Sequence, residues 1–146
     1  MSYDLDLFVP QVNIDPLEII QSAAFIKADP STPLNIELAN DLLTDNPQFE
    51  YTMTPETIEL IDPHDGITIR LHSHTASISV PYWHTDKRAI NLAIGTARRY
   101  LRTILRKSNF AVYDAQLGKM VDLEKDSPQM IAKYEQSLAG MTSLFG

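Results

Sequence analysis

Residues 67–107 read ITIRLHSHTASISVPYWHTDKRAINLAIGTARRYLRTILRK, and this stretch decides the fold. Ile67, Ile69 and Leu71 alternate with Thr68, Arg70 and His72. After a turn at Ser73-His74, Ala76, Ile78, Val80 and Tyr82 alternate with Ser77, Ser79 and Pro81. A period of two is that of a strand with one buried face. Beyond Thr85 the period changes to that of a helix. Ile90, Ala93, Ile94, Ala97, Leu101, Ile104 and Leu105 fall on one apolar arc of about 100°. His84 or Thr85 is the expected cap. Asp86 in the first turn and Arg102, Arg106 and Lys107 in the last two complement the helix dipole.

Upstream, Phe49, Tyr51 and Met53 alternate with polar residues. Thr54-Pro55-Glu56 interrupts, and Ile58 and Leu60 resume the alternation up to the turn Asp62-Pro63-His64-Asp65-Gly66. These segments predict a three-strand antiparallel meander with one face in the core. Further upstream, Tyr3, Leu5, Leu7 and Val9 alternate with Asp4, Asp6 and Phe8, a strand that Pro10 ends. Asp15-Pro16 opens a short helix through Leu17, Ile20 and Ala24, extending towards Ile26 or Lys27. Leu34, Leu38, Ala39, Leu42 and Leu43 mark a second helix over about 34–45, which Asn46-Pro47 stops.

Downstream of the long helix, Phe110, Val112 and Asp114 begin a hairpin that turns at 115–118 and returns through Met120, Val121 and Leu123. Ser127-Pro128 starts a final helix with Tyr134, Leu138 and Met141 on one side, and the chain after Gly140 is expected to fray. No repeat or Gly/Ser-rich linker divides residues 1–146, so one domain is expected. The order predicts an α+β fold, a two-layer sandwich. Its sheet is mainly antiparallel, and the long amphipathic helix packs on one face.

The 146 residues include no cysteine, which excludes thiol catalysis, disulfides and thiolate metal sites. The opening Met1–Asp6 carries neither a basic stretch nor an apolar core, and no window resembles a membrane span. The cytoplasm is therefore the expected compartment. The net charge of −7 is unevenly spread. Residues 1–65 hold 13 acids and one base, whereas residues 66–109 hold one acid and eight bases. Arg88, Arg99, Arg102 and Arg106 lie opposite the apolar stripe of the long helix, with Arg98 at its flank. Such a ridge suits phosphate, but the chain is acidic and no aromatics interleave with these arginines, so nucleic acid is not an expected partner. The other reading makes the acidic N-terminal half the ridge's own counter-charge.

His72 and His74 have the H-x-H spacing of some zinc sites, but Ser73 at a turn removes their shared face. No metal, cofactor or catalytic residue is predicted. Tyr82, Trp83 and His84, at a strand-to-helix junction, are the candidate pocket for a small ligand or a reaction. Leu92, beside Gly95, is an apolar side chain on the outer face of the long helix.

The opening MSYDLDLF (1–8), the helix end LLTDNP (42–47) and the turn VYDAQ (112–116) resemble a group of small uncharacterised bacterial proteins. Their late turn more often has proline where Ala115 stands. The resemblance carries no activity, and some similar small acidic bacterial proteins are immunity proteins that neutralise a toxin. The leading expectation is a non-enzymatic, cytoplasmic protein-binding domain, with an immunity-type inhibitor as one form of it. Asp41, Asp45, Glu56 and Glu59, with Asp4, Asp6 and Glu37, are its candidate partner-binding residues. The alternatives are the ligand pocket and a homodimer formed through a sheet edge or the Leu92 face.

Overall fold

The computed structural model describes residues 1–23 and 29–145, with side chains as far as Met141. Seven described strands form one antiparallel sheet. They are β1 (Ser2–Phe8), β2 (Glu50–Met53), β3 (Ile58–Ile61), β4 (Thr68–Leu71), β5 (Ala76–Pro81), β6 (Ala111–Asp114) and β7 (Lys119–Val121). Their spatial order is β2-β3-β4-β5-β1-β6-β7, so the first strand of the chain lies between β5 and β6. The helices are α1 (Pro16–Ala23), α2 (Pro33–Asp45), α3 (Lys87–Lys107) and α4 (Ser127–Phe145). This is the α+β architecture that the alternation predicts.

The expected three-strand meander is present as β3–β5 and gains a fourth strand, β2. Thr54-Pro55-Glu56 is a reversal, not an interruption. Thr54 N donates to Thr57 O at 2.8 Å, and β2 folds back on β3 with Met53 opposite Ile58. A hairpin has no period of its own across its turn, so alternation alone reads through it.

Alternation sorts the sheet into two faces. Tyr3, Leu5, Leu7, Ile58, Leu60, Ile69, Leu71, Ile78 and Val80 are buried on one face. There they meet Leu38 and Leu42 of α2, the α3 stripe, and Met130 and Tyr134 of α4. Ile90, Ala93, Ile94, Ala97, Leu101 and Ile104 of α3 are all buried, joined by Tyr100. Leu105 is partly buried at the edge of this core. Burying a Leu or Ile side chain contributes about 1.5–3 kcal/mol, so this stripe alone fixes the helix to the sheet. The other face carries Asp4, Asp6, Glu59, Arg70, Ser77 and Ser79 in register across β3, β4, β5 and β1.

Asp86 caps α3, rather than His84 or Thr85: its backbone is extended and its carboxylate accepts Ala89 N at 2.8 Å. Thr32 caps α2 through Asn35 N at 3.2 Å. Asp15 accepts Leu17 N at 2.8 Å at the start of α1. The expected continuation of α1 through Ala24, Ile26 and Lys27 lies outside the described residues. α4 does not fray at Gly140 but stays helical to Phe145. No helix among the described residues is long and apolar enough to cross a membrane.

Two hairpin turns are built alike. Asp62 opens the β3–β4 turn and Asp114 the β6–β7 turn, each four residues before a glycine with φ near +70°. Gly66 N donates to Asp62 O at 2.8 Å, and Gly118 N to Asp114 O at 2.7 Å. In each aspartate one carboxylate oxygen accepts backbone N–H groups of its own turn: His64 N at 2.9 Å for Asp62, and Leu117 N at 3.0 Å for Asp114. The other oxygen accepts a core tyrosine hydroxyl, from Tyr100 at 2.6 Å and from Tyr3 respectively. Both carboxylates are buried, so these donors take the place of water.

Candidate functional site

Tyr82, Trp83 and His84 line none of the three main clefts of the described residues. The Tyr82 ring packs 4.8 Å from that of Tyr134, a fully buried residue of α4. Tyr134 accepts His84 N at 3.3 Å and donates to Pro81 O, while His84 Nε2 lies 3.1 Å from Asp65 O. These contacts seal the junction between β5 and α3. Trp83 turns outward and is 65% exposed. The edge of its ring rests on Gly66, where a Cβ would fall 2.7 Å from Trp83 Cη2 and 2.8 Å from Pro81 Cγ.

Two of these clefts lie on either side of the β4–β5 turn, next to α1. One cleft of about 670 Å³ is lined by Asp6, Glu56, Thr57, His72, His74 and Ser77, with Ile20 of α1. The second, of about 510 Å³, has mainly apolar walls from Phe8, Val9, Ile14, Ile19, Leu34 and Phe110. Ser73, His74 and Thr75 belong to both and form the partition. His72 N donates to Thr75 O at 2.8 Å, which closes this turn just after β4 ends at Leu71. Buried Asn35 of α2 donates its amide to Pro30 O at 3.1 Å and to His72 O, which anchors the turn.

The first cleft perturbs two titratable groups in opposite directions. Burial and then Asp4 raise the Asp6 carboxyl above the usual carboxylate range. Burial and then Arg70 lower His72 below the usual imidazole range. Both shifts follow from desolvation of a charged form, the larger cause in each case. No group of three or more His, Asp or Glu side chains able to hold a metal occurs among the described residues. His72 and His74 thus share a cleft wall without forming a ligand set.

α1 has an amphipathic pattern but buries none of its residues. Val9, Val12, Ile14 and Leu17, on the connection into α1 and its first turn, are 48%, 87%, 38% and 48% exposed. Scattered apolar side chains are ordinary on a surface. Four fall within nine residues here, and two of them, Val9 and Ile14, line the apolar cleft.

The acidic candidates are differently placed. Asp45 accepts from Arg99 at 3.1 Å, and Asp41 and Glu37 each lie 2.9 Å from Lys107. Glu59 pairs with Arg70 at 3.0 Å across β3 and β4. Glu56 has no ion pair among the described residues and lines the first cleft. On the arginine ridge, Arg99 meets Asp45 and Arg102 meets Glu124 at 3.0 Å. Arg98 donates to Ser127 Oγ at 3.1 Å, and Arg88 and Arg106 have no ion pair among the described residues. Leu92 is 62% exposed on the outer face of α3.

The opening segment and the late turn are joined in the structure. Gln116 Oε1 accepts Asp4 N at 2.8 Å, and its amide donates to Asp4 O at 2.7 Å and to Asp114 at 2.8 Å. With the Tyr3–Asp114 bond, the MSYDL opening and the VYDAQ turn hold each other. No family model matches the chain, no curated protein matches it, and no solved structure matches it.

Proposed function

We propose that this chain is a protein-binding domain that holds a basic, amphipathic segment of another protein in the apolar cleft beside α1. The observation that carries this reading is that Val9 and Ile14, both exposed, line that cleft, with exposed Val12 and Leu17 beside them in the sequence. Charge supports the choice of partner: among the described residues, the charged carboxylates lining the two clefts are Asp6, Glu18 and Glu56, and no lysine or arginine joins them. In this reading Glu56 keeps its expected partner-binding role and Glu18 joins it, whereas Asp41, Asp45 and Glu59 already pair with cationic side chains of the chain itself. An immunity-type inhibitor would hold its toxin on this surface.

Fluorescence anisotropy with a labelled leucine/lysine helical peptide, and with its leucine/glutamate counterpart, tests this. The basic peptide should bind more tightly, more weakly in high salt, and at least ten-fold more weakly (~1.4 kcal/mol) to Ile14→Asp than to the parent chain. Equal binding of the two peptides, or binding indifferent to Ile14→Asp, overturns it.

A second reading rests on Asp6 and His72, whose perturbation within one cleft is typical of small-ligand and acid–base sites. In this reading the pocket once expected at Tyr82, Trp83 and His84 lies at the first cleft. A metabolite that raises the melting temperature of the parent chain but not of His72→Ala supports it. An equal shift in both places the ligand elsewhere.

A further inference from the structure

We propose that two copies of this chain pair antiparallel through β2, continuing the sheet across a two-fold axis at Thr52. β2 is an outer strand, and all four of its residues are exposed. Outer strands are ordinarily guarded against such pairing by lysine, proline, a bulge or brevity. At four residues β2 is short and bears the charge of Glu50, but Glu50-Tyr51-Thr52-Met53 carries neither lysine nor proline. The opposite outer strand, β7, has three residues, and its Lys119 is drawn to Asp126 at 3.3 Å.

Hydrogen bonding selects the register. In an antiparallel pair, residues alternate between exchanging both backbone bonds with the neighbour and exchanging none. Thr54 bonds to Thr57 through its N–H at 2.8 Å, and this pair is in phase with Thr52 opposite Glu59 and Glu50 opposite Ile61. Tyr51 and Met53 are out of phase, so their N–H and C=O groups point outward from the sheet. Phe49 N is already committed to Asn46 O at 3.2 Å. The donors the edge offers are therefore those of Tyr51 and Met53.

A second copy satisfies both when each Tyr51 faces the Met53 of the other. Thr52 then faces its own counterpart on the axis, and Glu50 faces Thr54 rather than another carboxylate. Tyr51 and Met53, 46% and 48% exposed, become cross-strand neighbours on the helix-bearing side. Centring the pair on Tyr51 instead would set Met53 against Phe49, whose N–H is taken. Each copy carries a net charge of −7, so long-range repulsion opposes the pair and salt relieves it.

The chain has no cysteine, so T52C supplies its only thiol. In the proposed register this position is a non-hydrogen-bonded pair with Cα atoms about 4.5 Å apart, which suits a disulfide. The E50C positions of the two copies would lie about 14 Å apart. Under mild oxidation T52C should form a covalent dimer at least an order of magnitude faster than E50C. Sedimentation equilibrium of the parent chain should show a dimer that tightens from low to high salt. M53P removes an outward N–H without touching the β3 ladder and should abolish both effects; M53K serves if M53P fails to fold. A monomer at the highest concentration in high salt, or equal cross-linking of T52C and E50C, overturns the proposal.

Discussion

The Tyr100 hydroxyl donates to the Asp62 carboxylate across 2.6 Å, joining the middle of α3 to the end of β3. Asn46 Nδ2 donates to the same hydroxyl at 3.0 Å, so three elements meet at one oxygen. Tyr100→Phe leaves the buried carboxylate short of a donor and the Asn46 amide short of an acceptor. The expected cost is about 1.5–3 kcal/mol in urea denaturation, the range for hydrogen bonds to charged groups. Asp62→Asn in the Tyr100→Phe background should cost less than it does alone. Additive losses would show that the two side chains are energetically independent.

Gly66 and Gly118 separate backbone strain from steric collision. Both have φ near +70°, but only Gly66 faces the Trp83 ring, while the space around Gly118 is open. Gly118→Ala should cost about 1 kcal/mol, the price of a left-handed alanine. Gly66→Ala should cost more and should also displace Trp83. The chain has one tryptophan, so its emission spectrum reports that movement directly. An unchanged spectrum in Gly66→Ala would place the indole elsewhere.

The first cleft has a predictable pH dependence. The Asp6 pKa is higher in the folded than in the unfolded chain, so its ionisation disfavours folding as pH rises through the folded value. Asp6→Asn should therefore raise stability at neutral pH and have little effect well below pH ~4, where the parent carboxyl is protonated in both states. The His72 pKa is lower in the folded chain, so stability is lost as pH falls from ~6.5 through the folded value. His72→Gln should flatten that acid limb. Denaturation curves across this range check both, and parallel profiles for parent and variants would contradict the assigned causes.

The ion pairs between α2 and α3 are exposed and should contribute little. Side chains of Arg99 and Asp45 are 54% and 31% exposed. Asp45→Asn is expected to cost no more than about 0.5–1 kcal/mol, and less in high salt. A loss that salt does not reduce would mean that Asp45 acts through packing or hydrogen bonding instead.

The parts of this fold written in local periodicity were legible. The stripe from Ile90 to Leu105 announces α3, and Ile67 to Val80 announces β4 and β5. What local pattern cannot carry is the meeting of distant segments. Nothing near Tyr3 says that its strand enters between β5 and β6, because the partners of β1 lie some 70 and 110 residues away. The capping role of Asp86 was missed because His84, Thr85 and Asp86 are adjacent, and only backbone geometry distinguishes the cap from its neighbours. The clefts were invisible for the same reason as the strand order. Their walls come from Asp6, Ile20, Glu56 and His72, which no spacing connects. The acidic residues were legible as charge, but not as pairs: Asp45 meets Arg99 only because α2 lies against α3.

The position of β1 also bears on how the chain is made. β1 is synthesised before both strands that it pairs with, β5 and β6, which end at Pro81 and Asp114. At about 5–20 residues per second, the interval between Phe8 and the end of β6 lasts roughly 5–20 seconds. Until β5 is made Tyr3, Leu5 and Leu7 have no partner strand, and the Tyr3–Asp114 bond cannot form before β6 follows. During translation the nascent chain therefore presents β1 as an unpaired apolar strand until β5 is made, and one edge of it stays open until β6 follows.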